Sequence, residues 1–131
     1  MLYLDTNVIL RYLLQDCQEL ISQSKEYIES NRVYIKNEVL AEVVYVLNKT
    51  YKVPKDELGK ILKDFISSGN VEVESKDVVI SALEIFETKN IDFVDSLLCS
   101  YSKLMSWKVV SFDKKLNQCM QVSNVCEMEK K

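Results

Sequence analysis

Histidine is absent from this 131-residue chain, and glycine and proline are nearly so, with two copies and one. Without imidazole there is no Ser–His or Cys–His nucleophile pair, no imidazole general base and no Cys₂His₂ zinc site. Gly59 and Gly69 alone cannot build a Walker-type phosphate loop or a G-x-G-x-x-G turn. No apolar run approaches the roughly 20 residues that span a bilayer, so no membrane segment is expected. Cys17, Cys99, Cys119 and Cys126 form no C-x-x-C pair, and three sit in apolar or amphipathic stretches. They are expected to be reduced and packed as small hydrophobes. An acid already at Asp5 argues against a secretory leader, and the expected compartment is the cytoplasm.

What remains is a globular composition, 47% apolar and 28% charged, of a length that suits one domain over residues 1–131. Seventeen basic against twenty acidic side chains give a net charge of −3. That balance argues against coating nucleic acid through an overall basic field. It leaves room for a nuclease, because divalent cations invert the sign of an acidic pocket. Any catalysis must run on carboxylates, amides, hydroxyls, Lys, Arg or a metal.

Along the chain, short apolar runs alternate with helical periodicity. Strands are expected at Leu2–Leu4, Val33–Ile35, Asn70–Glu74 and Trp107–Ser111, with a further one at Asn124–Met128. Helices are expected over Thr6–Leu14, Glu19–Glu29 (Leu20, Ser24, Tyr27 and Ile28 inward) and Asn37–Tyr51. Pro54 suits the first turn of a helix reaching Ser67, with Leu58, Ile61, Leu62 and Phe65 on its apolar face. Ser75 caps another, and Asp92–Ser106 and Asp113–Met120 complete the series. This alternation predicts an α/β layered fold with a mostly parallel central sheet of four or five short strands flanked by helices. In open sheets of this kind, ligands bind at the carboxyl edge.

Three acids fall just past a strand or in the first turn of a helix: Asp5, Asp95 and Asp113. Each has an ordinary explanation as a helix cap, and Asp92 with Asp95 has the spacing of a capping box. Glu42 differs, because it lies within Val39–Leu47, the most apolar helical stretch of the chain. Burying a carboxylate unpaired costs several kcal/mol, so a partner or a raised pKa is expected there. The alternative is a narrow polar stripe shared with Glu38, one turn earlier. If the strands before Asp5 and Asp113 pair in parallel, the acids meet at one edge, and a hard cation relieves their repulsion. Oxygen ligands without sulfur or imidazole suit Mg²⁺ or Mn²⁺.

Asp5-Thr6-Asn7-Val8-Ile9-Leu10, Glu42 within its Leu-Ala-Glu-Val-Val-Tyr-Val-Leu helix, Asp92-Phe93-Val94-Asp95 and Ser111-Phe112-Asp113-Lys114, in that order, resemble the PIN domain. In length and motif order the chain is similar to the single-domain VapC-like toxins of prokaryotic toxin–antitoxin pairs. The resemblance implies a PIN-like three-layer fold and an endoribonuclease dependent on Mg²⁺ or Mn²⁺. Its catalytic and metal-holding residues would be Asp5, Glu42, Asp95 and Asp113, supported by Asn7 and by Ser111, which stands where the family usually has Thr. Asp92 is assigned mainly to capping. Arg11, Lys36, Lys114 and Lys115 are candidates for the RNA backbone. A cognate antitoxin is the implied protein partner, and a homodimer is expected, because the helices between Thr6 and Ser67 carry more large apolar residues than a small sheet covers. Two rivals remain: a catalytically inactive PIN-like interaction module, and a phosphatase with Asp5 as nucleophile. The second lacks the acid that a haloacid-dehalogenase motif places where Asn7 stands.

Overall fold

In a computed structural model, which describes residues 1–15 and 18–120, the chain divides into two compact units, Met1–Lys76 and Asp77–Lys131. The first unit holds a parallel sheet. Its strands β1 (Leu2–Tyr3), β2 (Val33–Ile35) and β3 (Val71–Val73) lie in that order. Leu2 registers with Val33 and Tyr3 with Tyr34, while Val33 faces Val71 and Ile35 faces Val73. Two helices connect each strand pair, α1 (Thr6–Leu14) and α2 (Gln18–Glu29), then α3 (Asn37–Tyr45) and α4 (Lys55–Ile66). Parallel strands require such crossovers.

The core of this unit follows from periodicity. On α1, Thr6, Ile9 and Leu10 are buried, three and four residues apart and therefore on one face. Leu40, Val43, Val44 and Leu47 continue the pattern along α3 and beyond it, as do Leu58, Leu62, Phe65 and Ile66 on α4. Each fully buried Leu or Ile contributes roughly 1.5–3 kcal/mol of hydrophobic stabilisation. The Tyr12 ring packs 5.6 Å from that of Phe65, and its hydroxyl donates to Glu29 at 2.9 Å, tying α1 to α2. On α2 the inward residues are Ile21, Ser24 and Ile28, whereas Leu20 and Tyr27 face solvent. Past Tyr45 the helix widens into a π turn over Val46–Thr50. The Asn48 side chain then closes the connection by donating to the Val53 carbonyl at 2.9 Å.

The second unit is helical among its described residues, with α5 (Lys76–Thr88) entering it, then α6 (Phe93–Met105) and α7 (Lys114–Met120). The buried Ser100 hydroxyl donates to the Val78 carbonyl at 2.7 Å, and Phe86 meets Phe93 edge-on at 6.1 Å. Ile91, Cys99, Leu116, Cys119 and Met120 form a buried cluster.

Three expectations change here. Trp107–Ser111 is not a strand, so the described sheet has three strands instead of four or five. Its residues favour extended backbone, but a strand exists only where a neighbour accepts its ladder. The Trp107 N–H turns back to the Tyr101 carbonyl at 3.3 Å, and Val110 and Phe112 stand exposed. Cys99 and Cys119 are joined as a disulfide between α6 and α7, not reduced as expected. They lie 20 residues apart, with Cα atoms 6.1 Å from each other. Cys17, Cys126 and the Asn124–Met128 strand lie outside the described residues. Among the described residues, no helix is long and apolar enough to cross a membrane.

Candidate active site

Asp5 follows β1 at the carboxyl edge of the sheet and occupies the N-cap position of α1. Its backbone has the extended conformation of a cap (φ −86°, ψ 160°), yet its side chain makes no capping hydrogen bond. Capping therefore does not account for this acid, and its exposed carboxylate is available for other work. Asn7, in the first turn of the helix, accepts from Arg11 Nε at 3.3 Å. Lys36, past β2, pairs with Glu38 at 3.5 Å. The Glu38 carboxyl is lowered below its usual range, first by its own backbone N–H and then by Lys36. One acid of this edge escaped the sequence reading: Glu74, directly after β3, accepts from the Asn37 N–H at 3.2 Å. The signal was present, since Glu74 follows its strand much as Asp5 follows β1.

Glu42 is exposed, and the expectation of a buried carboxylate needing a partner fails. On α3 and its continuation, Leu40, Val43, Val44 and Leu47 point inward, while Glu38, Glu42, Tyr45 and Lys49 are exposed. The second set recurs at three- and four-residue steps, one outward stripe of a helix. The stretch looked apolar all round because Tyr45, 64% exposed, brings an aromatic ring to that stripe. The polar-stripe alternative is the one realised.

In the second unit the acids crowd. Asp92 caps α6, its Oδ1 accepting from the Asp95 N–H at 2.8 Å, while its carbonyl accepts from Ser96 Oγ at 2.8 Å. The capping role assigned to Asp92 is thus seen directly. Asp95, half-buried in the first turn, has its carboxyl held above the usual aspartate range. Burial is the main cause, followed by the negative charges of Asp92 and Asp113. Asp113 accepts from the Leu116 N–H at 2.9 Å through Oδ1, which caps α7. Ser111 shapes the approach, since its hydroxyl accepts from the Asp113 N–H at 3.0 Å and its carbonyl accepts from Asn117 Nδ2 at 2.9 Å. The hydroxyl that Ser111 shares with Thr thus aims Asp113.

Fold and local geometry therefore bring Asp92 and Asp113 within electrostatic reach of Asp95, while Asp5 and Glu42 belong to the first unit. Among the described residues, no group of three Asp, Glu or Cys is gathered to hold a metal ion. Burial is the larger cause of the Asp95 shift and the two neighbouring charges the smaller, and a hard divalent cation would relieve the second. Lys114 and Lys115 follow Asp113 directly and are exposed.

The model of the PIN domain family matches residues 2–119. A VapC ribonuclease of Aquifex aeolicus (strain VF5) is 25% identical over 121 residues, covering 88% of this chain and 89% of that protein. No solved structure matches the chain with significance. With Asp5, Glu42, Asp95 and Asp113 all inside the matched span, the chain belongs to the PIN domain family.

Proposed function

We propose that this protein is a metal-dependent endoribonuclease that hydrolyses RNA phosphodiester bonds, acting as the toxin of a toxin–antitoxin pair in the cytoplasm. The observation that carries this reading is the PIN domain match over residues 2–119, in a chain similar to a VapC ribonuclease; the half-buried Asp95, its carboxyl raised by burial and then by the charges of Asp92 and Asp113, supports it. A carboxylate set of this kind fits Mg²⁺ or Mn²⁺ and fits zinc poorly. In the second unit Asp95 and Asp113 would hold the cation, and the family resemblance assigns Asp5 to the same role. A bound divalent ion supplies neutralisation of charge on the phosphate and a lowered pKa for attacking water.

The remaining work falls to the protein's own groups. Glu42, exposed on α3, orients the attacking water. Ser111 keeps Asp113 in place through the hydrogen bond to its N–H, and Asn7 steadies Arg11. Arg11, Lys36, Lys114 and Lys115 contact the RNA backbone, and of these Lys36 must first part from Glu38. The first unit exposes Leu20, Tyr27, Tyr45, Tyr51 and Ile61, apolar surface that supports docking of an antitoxin and formation of a homodimer.

The test is cleavage of RNA by the purified chain with Mg²⁺ or Mn²⁺, abolished by EDTA. Asp95→Asn should lower the rate at least about 100-fold, the scale on which catalytic electrostatics act, while circular dichroism stays unchanged. A folded Asp95→Asn protein that cuts at the parental rate overturns the assignment. Failure of the parent chain to bind Mn²⁺ or cut RNA would favour the inactive interaction module instead.

A further inference from the structure

The Cys99–Cys119 disulfide joins two helices that carry acids of the candidate site. Cys99 lies one turn after Asp95 on α6, and Cys119 lies in the last turn of α7, the helix that Asp113 caps. The link therefore fastens the element of Asp95 to the element of Asp113. Disulfides in reducing compartments are mostly transient and redox-sensing rather than structural, and the function proposed for this chain places it in the cytoplasm.

The two cysteines differ in access. Cys99 is fully buried, whereas Cys119 keeps 6% exposure and lines a cleft of about 270 Å³ with Lys89, Asn90, Ile91, Lys115 and Gln118. That volume suits a small molecule. A protein reductant, which must lay its own sulfur against the target, finds Cys119 recessed. Among the described lining residues are two lysines and no acid, in a chain whose net charge is −3. Lys89 follows the end of α5 and Lys115 sits in the first turn of α7, so two elements bring positive charge to one cleft. Asn90 and Gln118 add amide donors. Such a lining favours a carboxylate, and its charge also favours an incoming thiolate over a thiol.

We propose that Cys119 is a thiol–disulfide exchange site, served by a small carboxylate-bearing thiol that Lys89 and Lys115 draw into the cleft. The incoming thiolate attacks the Cys119 sulfur, a bond forms between those two sulfurs, and the Cys99–Cys119 bond breaks. Cys99 leaves with the electron pair and takes a proton from water. The products are a mixed disulfide at Cys119 and a buried thiol at Cys99. In the reverse step the Cys99 thiolate attacks the Cys119 sulfur, expels the small thiol and restores the link. Neither direction needs a further oxidant or reductant. While the mixed disulfide stands, α7 with its cap Asp113 is no longer fastened to α6 and Asp95. That consequence rests on the ribonuclease reading and adds a control to it: the two carboxylates are held in the linked chain and released in the thiolated one.

Purified in air, the chain should yield the linked Cys99–Cys119 peptides after alkylation, digestion and mass spectrometry. Loss of that link is then timed with 3-mercaptopropionate, 2-mercaptoethanol and cysteamine, small thiols that carry a negative charge, none and a positive one. Replacing Lys89 and Lys115 together by Gln should lower the 3-mercaptopropionate rate relative to the cysteamine rate at least about fivefold, the scale of one contact between unit charges in water. The thiols' own reactivities cancel, because the ratio is compared between two proteins. Lys89→Arg with Lys115→Arg should keep the parental ratio. In Cys99→Ala protein, oxidised glutathione should place an adduct on Cys119, and in Cys119→Ala protein it should leave Cys99 unmodified. A parent in which Cys99 and Cys119 both alkylate overturns the site. So does a rate ratio that the paired Gln variant leaves unchanged, or an adduct on Cys99 in place of Cys119. RNA cleavage with Mg²⁺ should fall when Cys119 carries the adduct, and equal cleavage by both forms overturns the control over the carboxylates. If exchange follows the lysines but neither form cuts RNA, the nuclease falls and the exchange site stands. If exchange ignores the lysines while the linked chain cuts RNA with Mg²⁺, the site falls and the nuclease stands.

Discussion

The two units of this protein place their acids by different physics. In the first, a strand end delivers Asp5 to the sheet edge and leaves its side chain without a capping bond. In the second, helix starts and a turn deliver Asp92, Asp95 and Asp113, and two of the three are engaged as caps. Asp95 alone carries a charge its surroundings resist. Position at a sheet edge makes a carboxylate available, whereas crowding at helix starts makes one ready to accept a cation. The sharpest way to break this contrast is to compare Asp5→Asn with Asp95→Asn in an RNA-cleavage assay. Both should lose activity at least about 100-fold. Mn²⁺ affinity, followed by calorimetry, should fall further for Asp95→Asn, because Asp95 is the group that a cation relieves of its neighbours' charge. A larger loss of affinity with Asp5→Asn would reverse the ranking.

The units also differ in what holds them together. The first relies on its sheet and on the buried faces of α1, α3 and α4. The second has helices, a small apolar cluster and the Cys99–Cys119 link. Closing a loop of 20 residues lowers the entropy of the unfolded chain by an amount worth about 3 kcal/mol. Reduction, or Cys99→Ala with Cys119→Ala, should therefore destabilise the second unit by up to about that much. Hydrogen exchange would localise the loss to α6 and α7, with the amides of β2 and β3 keeping their protection. Uniform loss across both units would mean that they unfold as one.

A smaller effect separates Glu42 from the buried residues of its helix. Exposed on the same stripe as Glu38, it should tolerate Glu42→Gln with a stability change within about 0.5 kcal/mol, the range of ordinary surface positions. Leu40→Ala, two residues away on the opposite face and fully buried, should cost about 2–5 kcal/mol. Thermal denaturation of the two variants decides it. If Glu42→Gln removes RNA cleavage at unchanged stability, the residue serves the chemistry and not the fold.

These contrasts show which features a sequence displays. Local devices were legible: the alternation that yields β1–β3 with paired helices, the capping role of Asp92, and the acids after strand or helix starts. Features that depend on a distant partner were not. Trp107–Ser111 has strand-forming residues, yet no ladder neighbour among the described residues. Cys99 and Cys119 show no motif because their meeting depends on α6 and α7 packing side by side. Glu42 was misjudged by counting apolar neighbours along the chain, when the angle around the helix decides burial. The crowding at Asp95 lies between these cases. Asp92 is three residues away and readable, but the approach of Asp113 requires the turn that Ser111 holds.

The smallest effect concerns the proton on Asp95, and its sign follows from the direction of the shift. Burial and then the charges of Asp92 and Asp113 raise its folded pKa above the ordinary aspartate value. The folded state therefore holds this proton more tightly than the unfolded chain does. Its stabilising contribution is complete below the unfolded pKa and is lost as pH rises through the folded one. Without metal, the parent protein should lose stability relative to Asp95→Asn over that interval, which begins at the usual aspartate range. Asp113→Asn removes one of the charges that raise the pKa and should bring the Asp95 titration, followed by carboxyl-carbon NMR, back toward its ordinary position. Saturating Mn²⁺ should reverse the slope, because a cation favours the ionised carboxylate. A slope that stays the same with and without Mn²⁺ would separate Asp95 from any metal, and would leave its raised pKa a consequence of burial beside two capping acids.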